Sequence, residues 1–305
     1  MAQMNTKPAT LLWELIGRLA DSCLTFRISG EPGVGKEAIA HLIHRHYPHN
    51  QSDFIKFNCQ ELQNATHADE FSAPLNPSTA SLLSALDSPE NKLFYFENIQ
   101  FLPEKLQLLL QNMLNNNYPT APPWVFAASI TPLEHDQTHA LDPALFKVLD
   151  TVHIAVPPLR RHPDKIAQIL SWFLHVYSQK APEDLVAMPA PRIMDILTSY
   201  PWPGNLGQLQ HLACKAFATS DWNSALKELD SHTIEVYTQG VDEIAAIYMM
   251  SLAKLSIHKE KIIEAFIAAS KTDEVGLLDL AIYHEAVSQM ADHIAANKNE
   301  TVQNE

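Results

Sequence analysis

Between Leu24 and Pro157 the apolar residues of this chain fall into short runs, each followed by a longer stretch with helical spacing. The runs at 24–29, 54–57, 93–97, 124–129 and 152–156 are rich in Phe, Ile, Val and Tyr, which predicts five strands. Strand and helix therefore alternate, and that order predicts an α/β core built on a parallel sheet. Parallel strands align their carboxyl ends along one edge, where such folds take ligands. From Asp164 to about Ser220 the strand signal disappears. There Ile166, Ile169, Leu170, Phe173 and Leu174 form one apolar helix face and predict a helical segment. Leu11, Leu12, Leu15, Ile16 and Leu19 predict an amphipathic helix ahead of the first strand, and residues 261–290 read as a further helical pair. The polar run Asn297–Glu305 is expected to fray.

The first strand leads into Gly30-Glu31-Pro32-Gly33-Val34-Gly35-Lys36-Glu37, and a helix is expected from Ala38 to His46. Strand, glycine-rich turn and helix start give a phosphate-binding loop its context. Successive backbone N–H groups face one anion, and the helix dipole adds positive potential. Glycine lets the chain turn tightly and approach phosphate without a Cβ in the way. Lys36 would then reach the β and γ phosphates, so ATP or ADP is the expected ligand. Glu37 stands where a Ser or Thr usually follows the lysine.

At 305 residues the chain is long enough for a sizeable core and two or three domains. No apolar run approaches the roughly 20 residues of a membrane helix, and no signal-peptide pattern opens the chain, so a cytoplasmic protein is expected. Cys23, Cys59 and Cys214 lack metal or disulfide spacing, and Cys59 reads as a core residue. His41, His44, His46 and His49 cluster around one helix without a fixed acidic partner, which argues against a histidine metal site. A formal net charge of −14 opposes nucleic acid unless one patch is basic, and a protein partner is the easier expectation.

The loop GEPGVGKE resembles the GExGTGKE loop of the AAA+ domain in bacterial sigma-54-dependent activators, where a glutamate also follows the lysine. FNCQEL at 57–62, VPPLRRHPDKI at 156–166 and YPWPGNLGQL at 200–209 match the same family in the same order, and the resemblance covers roughly residues 20–215. It implies an AAA+ α/β core over 1–163, a helical lid over 164–222 and a small helical domain over 223–305. No receiver or sensory domain is expected ahead of the core. Asn58 falls where the family has an asparagine that holds the catalytic glutamate until a partner engages, although a strand-end residue capping the next turn is an equal reading. Arg160 and Arg161 match the basic turn at the hinge between core and lid, with Arg160 expected at the nucleotide; an ordinary solvated pair is the alternative.

The departures fall on chemistry. In the ungapped register of KLFYFENIQFLP, Glu97 takes the position that orders magnesium and Asn98 that of the catalytic glutamate. A shift of one residue would make Glu97 the base and put Phe96 at the metal position. Ile130 replaces the asparagine that senses the γ-phosphate, Asp142 and Val148 replace two arginines that reach a neighbouring subunit's nucleotide, and Gly207 replaces the lid arginine. Lys147 is near enough to substitute in part. Between Cys59 and Glu97 the GAFTGA loop that engages sigma-54 is missing. The helices at 261–290 resemble a Fis-type helix-turn-helix, but Tyr283–Met290 carries Glu285 and no Lys or Arg, so a dimer or partner surface is favoured over DNA.

The expectation is thus a regulator that binds ATP or ADP through Gly30–Glu37, hydrolyses it poorly or not at all, and acts by associating with a complete sigma-54 activator or with its own copies. A working ATPase and DNA-bound sigma-54 activator using substitute residues such as Glu97 and Lys147, and a nucleotide-independent scaffold, are the alternatives.

Overall fold

The computed structural model describes residues 25–46, 53–66, 77–87, 92–116, 124–129, 141–149, 151–180, 186–227, 229 and 241–257. In chain order these form β1 (Thr25–Gly30), α1 (Lys36–His46), β2 (Asp53–Asn58), α2 (Cys59–Thr66), α3 (Pro77–Asp87) and β3 (Lys92–Glu97). A 3-10 turn at Ile99–Phe101 then leads to α4 (Glu104–Asn116), β4 (Trp124–Ser129), α5 (Pro143–Leu149) and β5 (Val152–Ala155). After a second 3-10 turn at Leu159–Arg161 come α6 (Pro163–Lys180), α7 (Pro191–Ser199), α8 (Asn205–Thr219), α9 (Trp222–Leu226), α10 (Glu243–Ser251) and β6 (Lys254–Ile257). The five expected strands appear within one residue of their expected ends. The helices expected at 11–19 and 261–290, and Ile130, lie outside the described residues.

The sheet runs β2-β3-β4-β1-β5-β6, with parallel neighbours except β6, which pairs antiparallel with β5. Every residue of β1 is buried, as a central parallel strand covered on both faces requires. Strand alternation divides the core. Phe26, Ile28, Leu93, Tyr95, Val152 and Ile154 pack with α1 and the helices from α6 onward, while Phe57, Phe94 and Phe96 pack with α2 to α5. This is the AAA+ α/β architecture.

The C-terminal part of the described chain differs from a free-standing helical unit. Within the segment 223–305, α10 packs on α1, with Arg45 donating to Glu243 at 2.5 Å, and β6 extends the core sheet beyond β5. Lys254–Ile257 is too short a run for periodicity to mark as a strand; the open edge of β5 supplies the pairing. Among the described residues no helix is long and apolar enough to cross a membrane.

Candidate functional site

The chain crosses from β1 to the far edge strand β2, works back through β3 and β4, and only then reaches β5 on the other side. The reversal of strand order lies at the end of β1, which is where the loop Gly30–Glu37 stands. Gly33 (φ 76°) and Gly35 (φ 93°) adopt backbone angles that side chains resist. A Cβ on Gly35 would also lie 2.7 Å from Cβ of Ala246, so α10 closes on the back of the loop at a place only glycine leaves open.

Lys36 begins α1, is 7% exposed, and donates from Nζ to the carbonyls of Gly30 and Glu31, both at 3.0 Å. Burial lowers its pKa to about 8, against the opposing fields of Glu97 and Glu31. Glu31 is buried in the loop and is the anchor of a polar junction. Arg160 grips its carboxylate with both terminal nitrogens, at 2.6 and 2.5 Å. These hydrogen bonds raise the Arg160 pKa against the burial that would lower it. Arg160, expected to serve nucleotide, is therefore placed to fix the loop's shape through Glu31.

The helix α8 joins the same junction through Asn205, which is fully buried. Its Nδ2 donates to Pro32 O at 2.9 Å and to Glu31 Oε2 at 3.2 Å, while its Oδ1 accepts the Leu159 N–H at 2.8 Å. Gly207, which the resemblance sets in place of an arginine, has no side chain to offer, but its N–H donates to Gly33 O at 3.1 Å. The left-handed φ of 49° at Asn205 suits asparagine and starts α8 where it can meet the loop. Reading the YPWPGN motif only for Trp202, Pro203 and Gly204 misses this residue. Its position immediately after the turn is the available signal. Asn205→Ala is expected to cost about 1–3 kcal/mol, because the Leu159 N–H and the Pro32 carbonyl stay buried without this partner. Urea unfolding measures it, and an unchanged midpoint would rule out the junction as a stabilising contact.

Behind the loop, Glu97 ends β3 on the face shared with Tyr95, toward α1, while Phe96 is fully buried on the opposite face. Phe96 thus points away from the loop. Asn98 follows at φ 55°, ψ 47°, a left-handed conformation, and opens the 3-10 turn. Lys56 of β2 lies between two carboxylates, with Nζ 2.8 Å from Glu37 and 3.1 Å from Glu97. Sequence reasoning passed over Lys56. Strand alternation puts it on the same face as Phe54, which stacks on His41 of α1 at 4.0 Å, and that is the signal that it points inward.

Other singled-out positions have local partners. Asn58 accepts the Gln60 N–H at 3.1 Å, the turn-capping arrangement. Asp142 caps α5, its Oδ1 accepting the N–H groups of Ala144 at 2.8 Å and Leu145 at 3.1 Å. Val148 lies on α5 and Lys147 is exposed there. Cys59 is fully buried in the α2–α5 side of the core.

Fold and loop together define a P-loop protein of the AAA+ class. Residues 3–118 match the sigma-54 interaction domain. The nitrogen fixation protein AnfA of Azotobacter vinelandii is 25% identical over 231 residues, 71% of this chain and 43% of its own length. The transcriptional regulator NtrC of Salmonella typhimurium is 27% identical over 214 residues, 66% of this chain and 45% of its own. Among solved structures, NtrX from Brucella abortus in complex with ADP superposes with TM-score 0.54 at 19% identity, covering 72% of this chain and 51% of that one. Its complex with ATP gives 0.54 at 16% identity, covering 96% and 69%. These superpositions show the fold. Over residues 3–118 the chain is similar to the sigma-54 interaction domain, and it spans less than half the length of the two relatives just named.

Proposed function

We propose that this chain binds ATP or ADP at the loop Gly30–Glu37, hydrolyses it poorly or not at all, and regulates transcription by associating with a complete sigma-54 activator or with further copies of itself. One observation carries the reading. The loop is held in shape by Glu31, Arg160 and Asn205, whereas the residue aligned with the catalytic base is Asn98, and the Asp142 that replaces an arginine caps a helix. The cradle suits a phosphate: glycine backbone at Gly33 and Gly35, the N-terminus of α1, and a buried ammonium whose present acceptors are two loop carbonyls. Bound nucleotide would brace the contact between loop and lid, and a braced surface is what a protein partner would recognise. The solved complexes of NtrX with ADP and ATP support the ligand class.

Calorimetric titration with ATP and ADP tests the binding, with Lys36→Ala as the control that should lose it. Co-purification with a complete activator from the same cell tests the association. A wild-type chain that binds neither nucleotide would leave only a scaffold role.

The depressed pKa of Lys36 sets a pH dependence with two opposite signs. Between about 8 and the usual lysine value the unfolded chain holds more protons on this group than the folded one, so its contribution to stability rises with pH across that window. Nucleotide needs the charged form, so affinity should fall as pH passes about 8, reaching roughly a tenfold loss near pH 9. Titrations from about pH 7 to about pH 9 measure this. A flat affinity would remove Lys36 from the phosphate contact.

A further inference from the structure

In a phosphate-binding loop protein, the residue after the loop lysine and the acid that ends the neighbouring strand are the two places from which the chain holds magnesium. Here these are Glu37 and Glu97, and the Lys56 ammonium bridges them, 2.8 Å from one carboxylate oxygen and 3.1 Å from the other. Magnesium takes oxygen ligands at about 2.0–2.1 Å in near-octahedral array. An ion placed between these carboxylates would have to expel the ammonium, or sit beside its positive charge. Burial works against the charge on Lys56, but its hydrogen bond to Glu37 and the field of Glu97 outweigh that and raise its pKa. The donor set as folded is matched to an ammonium, and magnesium does not fit it.

We propose that Lys56 is the site's own cation, and that this chain binds ATP or ADP without a divalent metal. The proposal rests on the nucleotide-binding reading above. A nucleotide brings several negative charges to a site that already holds Glu37 and Glu97, and unscreened repulsion would oppose it. Lys56 offsets those two carboxylates from the β2 side. Lys36, which feels the field of Glu97, offsets that carboxylate from the loop side. Two fixed ammoniums thereby supply the charge that a magnesium ion would bring, and supply it as hydrogen-bond donors in place of a coordination shell.

The full chain is titrated with ATP and with ADP, first in excess EDTA and then in excess magnesium. The two affinities are expected to agree within about threefold. Lys56→Met should weaken binding in EDTA by about ten- to a hundredfold and regain it when magnesium is added, while Lys56→Arg stays metal-independent. Wild-type binding that vanishes in EDTA overturns the proposal, and so does a folded Lys56→Met chain that binds in EDTA as the wild type does. Absence of binding in both buffers overturns the nucleotide reading and this proposal with it. The wild-type comparison decides the matter even where Lys56→Met fails to fold.

Discussion

The purified chain is expected to release phosphate from ATP about 10² to 10⁴ times more slowly than an intact activator, on account of Asn98 alone. A neutral amide cannot take a proton from water, and Asn98 sits in a left-handed backbone conformation that asparagine tolerates better than glutamate. A partner subunit's arginine contributes about 10³ to 10⁵ in related phosphoryl transfers. Asp142 and Val148 stand where the sequence resemblance would put two such arginines, and Asp142 is engaged in capping α5. Restoring the base by Asn98→Glu should therefore leave turnover at background. The glutamate would pay roughly 1–2 kcal/mol for the backbone angle and would still find no arginine opposite it. Single-turnover phosphate release, with an intact activator assayed in parallel, measures both proteins. Wild-type turnover equal to the activator's would end the reading of this chain as a non-hydrolysing subunit.

Trp202→Ala should lower folding stability by about 3–5 kcal/mol, the usual cost of emptying a site of this size. Trp202 is fully buried, its Nε1 donates to Leu197 O at 2.8 Å, and its ring meets Tyr200 edge-on at 5.2 Å. It also packs in the cluster that joins α1 and β1 to the lid helices, so alanine opens a cavity between lid and core. For a chain of this length each kcal/mol shifts Tm by about 2–4 °C, which makes the loss visible by circular dichroism. Trp202→Phe keeps much of the volume but strands the Leu197 carbonyl, so it should fall between wild type and alanine. A Tm for Trp202→Ala matching the wild type would mean that the turn does not hold the lid to the core. Asn205 lies three residues on, so nucleotide affinity should fall along with stability if the junction to Glu31 depends on this turn.

Both expectations draw on parts of the molecule that the sequence exposes unequally. The loop lysine, its glycines and the strand before them are legible because a phosphate cradle is local: contiguous residues make it, and positive φ at Gly33 and Gly35 is a property of two positions. The five strands were legible for a similar reason, since each gathers β-branched or aromatic residues into a run of four to six, and that enrichment is local. Asp142 was read only as a missing arginine. Its work as a helix cap is also local, and the two residues after it at the start of α5 could have suggested it. The Fis-like helical pair, the GAFTGA deletion and Ile130 remain statements about sequence, since they lie wholly or partly outside the described residues.

Contacts between distant stretches were not legible. Glu31 and Arg160 are 129 residues apart, and Asn205 is 174 from Glu31; no periodicity relates them. Lys56 reads as one more charged residue in a strand until β2 is laid beside β3 and the end of the strand is brought under α1. The same holds for α10 and β6. Ala246 matters because Gly35 is opposite it, and β6 is a strand because β5 has an unfilled edge.

The amino-acid order by itself determined the strand and helix periods, the glycine-rich loop and the likeness to sigma-54 activators, because each is set by neighbouring residues or a short motif. Only the tertiary structure decided that Arg160 and Asn205 clamp Glu31, that Lys56 lies between Glu37 and Glu97, and that the C-terminal segment returns to the sheet. Those arrangements depend on which surfaces the packed sheet brings within hydrogen-bonding distance, and distance in space is not written along the chain.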